Sequence, residues 1–193
     1  VTQTGTWDDR DAKAFWHKPS QKWVITLSES PKGKERISFY SSPDLKSWQH
    51  LSSLHGYDVD CPEIFELPVD ANPKRKKWVL LYASARPFCS KYVIGEFDGI
   101  SFTRESGPHL VDWGNNMYAS QTWSDIPETD SRRVHIAWMF NGEYPGMPFN
   151  QQMSFPCELT LRSFSEGIRM CRRPVNEIKN IHSKQYSWKN KTL

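Results

Sequence analysis

At 193 residues, with 37% hydrophobic content and a formal net charge of +3, the chain is long enough for one domain with a sizeable core. No run approaches the roughly 18 apolar residues of a membrane-spanning helix, and the basic clusters at 74–77 and 172–173 are too short to mark a nucleic-acid surface. Nine Trp, seven Tyr and ten Phe suit an all-β core and a sugar site equally, so composition alone does not separate the two.

In chain order, strands are predicted over residues 22–27, 36–40, 77–82, 92–97 and 133–138, separated by turn signals from thirteen Pro and ten Gly. Most of these runs are apolar on both faces, as strands in a stacked sheet must be. A weak repeat emerges when they are aligned. Asp11-Ala12-Lys13-Ala14-Phe15-Trp16 followed by Lys22-Trp23-Val24 returns as Cys61-Pro62-Glu63-Ile64-Phe65-Glu66 followed by Lys77-Trp78-Val79, and a third copy runs from Tyr118 to Trp123 and on to Val134-His135-Ile136. The turn ending at Trp48 likewise matches the turn ending at Phe102. A period of 50 to 58 residues with about four strands per unit is the signature of propeller blades. The length then allows about three and a half four-stranded antiparallel blades, an incomplete ring in a single partial domain over 1–193; a β-sandwich is the competing architecture.

Cys61, Cys89, Cys157 and Cys171 are too few and too irregular for a disulfide framework or a zinc site, and free thiols are expected. A turn at Ser165-Glu166-Gly167 sets Cys171 opposite about Leu161, not Cys157. No motif supports a metal or nucleotide cofactor.

Polar residues at the starts of the innermost strands of a propeller converge on a central funnel. Arg10-Asp11 and Asp60-Cys61-Pro62-Glu63 occupy matching points of two repeats. Glu63, three residues after Asp60 on a strand, is expected on the opposite face. His17 and His135 fall inside strand patterns and read as structural.

These segments, with others in the same order, carry a resemblance. Arg10-Asp11-Ala12-Lys13-Ala14-Phe15-Trp16-His17 resembles the R-D-P and F-W-H pattern of glycoside hydrolase family 32, which holds invertases, levanases and inulinases. Asp60-Cys61-Pro62-Glu63-Ile64-Phe65 is similar to its E-C-P-D segment. Asp112-Trp113-Gly114 with Tyr118-Ala119-Ser120-Gln121-Thr122-Trp123, and Met153-Ser154-Phe155-Pro156-Cys157-Glu158-Leu159-Thr160-Leu161, resemble two later segments, so the likeness covers about residues 7–180.

The resemblance implies a five-bladed propeller whose first blade, and a C-terminal β-sandwich, lie outside the chain. It also implies retaining hydrolysis by a nucleophilic aspartate and a glutamate acid/base, with a third acid stabilising the transition state. By position, Asp60 takes the acid/base place and Asp11 the stabiliser's, while Arg10, Asp112, Trp113, Tyr118 and Gln121 take substrate-binding places; among the aromatics Trp7, Trp16, Tyr57, Trp113, Tyr118 and Trp123, only Trp113 and Tyr118 are assigned to sugar. The implied partner is a fructan or sucrose-like carbohydrate, and the family slightly favours an extracellular or periplasmic compartment. Three departures stand out: no Asn-Asp-Pro nucleophile segment occurs, Asp60 replaces Glu, and Ala12 replaces Pro. They keep open a non-catalytic fructan-binding module, or one assembled with a second copy or with a chain supplying further blades through its open sheet edges.

Overall fold

A computed structural model describes residues 9–58, 60–85, 87–127, 129–184 and 186; Trp7 lies outside them. The first blade is the antiparallel sheet β1 (Arg10–His17), β2 (Lys22–Glu29), β3 (Arg36–Ser42) and β4 (Gln49–His55), paired in that order. The second repeats the pattern with β5 (Asp60–Val69), β6 (Asn72–Ala85), β7 (Phe88–Phe97) and β8 (Phe102–Leu110). The third is built from β9 (Met117–Thr122), β10 (Arg133–Met139), the two-residue β11 (Gln152–Met153), β12 (Cys157–Phe164) and β13 (Gly167–Pro174). Both β11 and β12 lie against β10, and between them sits Pro156, which has no N–H to donate to the ladder. The described residues therefore make three blades of an all-β propeller that does not close into a ring.

The repeat read from the sequence holds down to the turns. Asp44 Oδ1 accepts from the N–H groups of Lys46 and Ser47, each at 2.9 Å, between β3 and β4. Asp98 Oδ1 accepts from Ile100 and Ser101 at 2.8 and 2.7 Å between β7 and β8. Each such turn lets a short carboxylate replace the missing strand partners.

Stacking of the blades explains why the central strands are apolar on both sides. Ile64, Leu80, Tyr82 and Val93 point at Val24, Ile37 and Phe39 of the first blade, with Phe97 and Phe102 closing the layer. The alternate residues Phe65, Val79, Leu81, Tyr92 and Ile94 point at Leu159 and Leu161 of the third. Each side buries its apolar area against a neighbouring blade, the dominant favourable term for such layers. Blades two and three also touch through one parallel pair, Leu161 with Val69, extended by Asp70 N–H donating to Leu161 O at 2.9 Å. All four cysteines are free, and Cys171 pairs with Thr160 while Cys157 pairs with Pro174.

Candidate active site

The three inner strands begin alike. Asp11, Cys61 and Ala119 all have positive φ (59°, 49° and 46°), and the strand register slips beside each of them. For residues other than Gly this backbone is strained, and such strain gathers at functional sites. Each bulge turns the residue before it, namely Arg10, Asp60 or Tyr118, toward its neighbours in the other blades.

Those three side chains meet. Arg10 Nη2 donates to Asp60 Oδ1 at 2.6 Å, and Tyr118 OH donates to Asp60 Oδ2 at 2.6 Å. Asp11 joins them: its Oδ2 accepts the Cys61 N–H at 2.9 Å and lies 3.9 Å from Arg10 Nε. A single guanidinium thus bears on both carboxylates. Gln121 Nε2 closes the group by donating to Cys61 O at 3.0 Å. Burial and the nearby Asp60 charge push the Tyr118 hydroxyl well above its ordinary value. Burial, helped by the Asp11 and Asp60 charges, pushes the Cys61 thiol up to about 12, so it stays protonated and is a poor nucleophile.

Glu63 corrects the face argument made from the sequence. Because the bulge at Cys61 inserts an extra residue between Asp60 and Glu63, simple alternation fails, and both acids reach strand β9. The Glu63 carboxylate accepts from Thr122 N–H at 2.7 Å and Thr122 Oγ1 at 2.8 Å, with Lys13 Nζ 3.8 Å away. Lys13 also donates to Thr122 O at 2.8 Å, so one buried clasp ties the inner strands of all three blades. Burial drives the Glu63 carboxyl up to about 6, against the pull of Lys13 and the Thr122 hydrogen bonds.

The remaining predicted residues lie elsewhere. Asp112 pairs with Arg172 and accepts the Gly114 N–H at 2.6 Å, lining a cavity of about 280 Å³ with Met117, Met139 and Phe155. Trp113 is 91% exposed. The hydrogen bonds of Asp112 run to Arg172 and Gly114, whereas those of Asp11, Asp60 and Tyr118 run to one another's strands, to Cys61 and to Arg10. His17 packs against Phe15, Trp78 and Phe97, and His135 is fully buried with both ring nitrogens unpartnered among the described residues. A cavity of about 670 Å³ lies under Pro68, Ala71 and Arg132 at the far end of β5, away from the converging carboxylates.

Stacked blades that send acids and an arginine from their inner strands to one point define a β-propeller with a polar site at its inner strand ends. Residues 1–174 match the model of the glycosyl hydrolases family 32 N-terminal domain. The chain is 39% identical to a levanase of Bacillus subtilis (strain 168), covering 100% of this chain and 31% of that protein. It is 34% identical to Invertase 2 of Saccharomyces cerevisiae, covering 89% of this chain and 34% of that one. The exo-inulinase structure from Aspergillus awamori superposes with a TM-score of 0.78 at 27% identity, over 92% of this chain and 38% of that one. The chain belongs to glycosyl hydrolase family 32, whose members here include levanase, invertase and inulinase, and it spans about a third of the length of these relatives.

Proposed function

We propose that this chain carries the acid/base and transition-state-stabilising side of a retaining β-fructofuranosidase site for fructan or sucrose-like substrates. The observation that carries the reading is the Arg10–Asp60–Tyr118 triplet with Asp11 beside it. Asp11 and Arg10 hold furanose hydroxyls through charge-assisted hydrogen bonds. Asp60 protonates the departing oxygen, then draws a proton from water.

Residues 1–193 by themselves bind fructosides without turning them over. Retention requires a nucleophile about 5 to 5.5 Å from the acid, and no Asn-Asp-Pro occurs in the sequence. Asp60 is also one methylene, roughly 1.5 Å, shorter than Glu, where a misplacement of about 1 Å can cost around 10²-fold. Both its oxygens are already engaged at 2.6 Å, so proton donation must first release a partner. The Asp at position 60 also supports a second reading, a non-catalytic fructan-binding module.

Reducing-sugar release from levan, inulin and sucrose is the test. No release is expected from the purified chain; turnover is expected from Asp60→Glu only when an Asn-Asp-Pro segment is supplied upstream. Turnover by the unaltered chain that Asp60→Ala abolishes would overturn the inactive reading, and no turnover by the completed Asp60→Glu protein would favour the binding module.

A further inference from the structure

The way Asp60 is held recurs three residues further along the same strand. Asp60 takes a cation from the first blade, Arg10 at 2.6 Å, and a hydroxyl from the third, Tyr118 at 2.6 Å. Glu63 repeats this with Lys13 Nζ at 3.8 Å and Thr122 Oγ1 at 2.8 Å. Between the two acids, Cys61 donates its N–H to Asp11 at 2.9 Å and its carbonyl accepts from Gln121 at 3.0 Å. Positions 60, 61 and 63 of β5 are thus tied in step to 10, 11 and 13 of β1 and to 118, 121 and 122 of β9. The Asp60 rung is open, with the Arg10 side chain 34% exposed, whereas the Glu63 side chain is closed off at 2%.

We infer that Glu63 is a positioning residue for the fructosyl site: by gripping β9 and β1 from β5, it sets the spacing at which Arg10, Asp11 and Asp60 face one sugar. The inference rests on the site proposed above and names what keeps that site in register. Strand pairing does not do so. Among the described residues the first blade shares no ladder with the second, and the second meets the third through Leu161 and Val69 at the opposite end of β5. The residues nearest the site supply no stiffness of their own, because the ladders slip at the left-handed backbone of Asp11, Cys61 and Ala119. Thr26 Oγ1 adds one tie between the first two blades, to Pro62 O at 2.7 Å. The grip on β9 is charge-assisted and comes from Glu63, whose two oxygens take the Thr122 N–H at 2.7 Å and its hydroxyl at 2.8 Å. Lys13 donates to the carbonyl of the same Thr122 at 2.8 Å. Two donors on one residue of a neighbouring blade fix its backbone as well as its side chain, in a place only 1% exposed. Tyr118 lies on the same short strand as Thr122, so a shift at Thr122 is carried to the hydroxyl on Asp60.

Titration calorimetry of the purified chain with methyl β-fructofuranoside, paired with urea unfolding of each variant, tests this. Glu63→Asp is shorter by one methylene, roughly 1.5 Å, so β9 must shift or give up a bond at Thr122. It is expected to weaken the methyl fructoside about tenfold, the loss of one charge-assisted hydrogen bond to the sugar. Glu63→Gln keeps the length and an acceptor for the Thr122 N–H, and is expected to restore binding to within about twofold of the unaltered chain. Should circular dichroism show that Glu63→Asp does not fold, Thr122→Val, which removes only the hydroxyl donor, carries the same test with an expected loss of about threefold, and Thr122→Ser is expected to reverse it. In an Asp11→Ala background the loss from Glu63→Asp is expected to shrink, because Glu63 acts through the groups it places. A merely structural residue lowers the urea midpoint and leaves the affinity of the folded chain untouched. That result for Glu63→Asp, with Asp11→Ala still weakening the sugar, would overturn the positioning role and leave the fructosyl site standing; a loss as large in the Asp11→Ala background would do the same. Absence of binding by the unaltered chain would overturn the site and the inference together.

Discussion

Replacing Glu63 with Gln separates the charge of the buried clasp from its shape. The carboxyl is 1% exposed and pushed up to about 6 from an ordinary 4.5, so the folded chain binds its proton more tightly than the unfolded chain does. The contribution of a group shifted in this direction is fully present below about pH 4.5 and is lost as pH rises through about 6. The two values correspond to about 2 kcal/mol lost by neutral pH. Gln has no proton to lose, so Glu63→Gln escapes that loss. Whatever constant difference the amide introduces at Thr122 and Lys13, the stability of Glu63→Gln relative to the unaltered chain should climb by about 2 kcal/mol between about pH 4 and pH 7. His135 titrates in both proteins and cancels from the comparison. Urea unfolding of the two proteins across that range measures it. A difference independent of pH, or one that moves against Glu63→Gln as pH rises, would refute the assignment of a raised carboxyl to the clasp.

Acid should destabilise the chain through His135, whose imidazole is pushed down to about 4, chiefly by burial with Arg172 nearby adding to it. Its contribution is present above about pH 6.5 and falls away as pH drops through about 4, by about 3 kcal/mol. In His135→Leu that limb of the urea profile should flatten. Open sheet edges and exposed apolar residues on the third blade, including Met153 and Phe155, should drive association of the chain with itself. Sedimentation should show mass rising with concentration, and a monomer across a wide range would count against it.

The propeller was legible because its repeat is carried by residues that cannot be exchanged freely. Phe15 and Phe65 both feed inter-blade layers, and Asp44 and Asp98 each close the same turn. The meeting of Arg10 with Asp60 followed from their matching repeat positions. Sequence position assigns the Tyr118 ring to sugar, whereas the fold turns its hydroxyl onto Asp60, the residue at the same repeat position. The strand bulges explain why. Left-handed backbone at Asp11, Cys61 and Ala119 leaves no trace in residues that usually avoid it, and without the bulge Glu63 falls on the wrong side of its strand. The pairing of Asp112 with Arg172 joins the loop between β8 and β9 to strand β13, with no spacing to announce it.

The central claim is that one fructosyl unit is held by Asp11 and Arg10 with its bridging oxygen toward Asp60. A crystal structure of the chain with bound 1-kestose tests it most directly. The account predicts the terminal fructosyl hydroxyls within hydrogen-bond distance of Asp11 and Arg10, and the bridging oxygen toward Asp60. Sugar lodged instead in the cavity under Pro68 and Arg132, with Asp11 and Asp60 untouched, would contradict it.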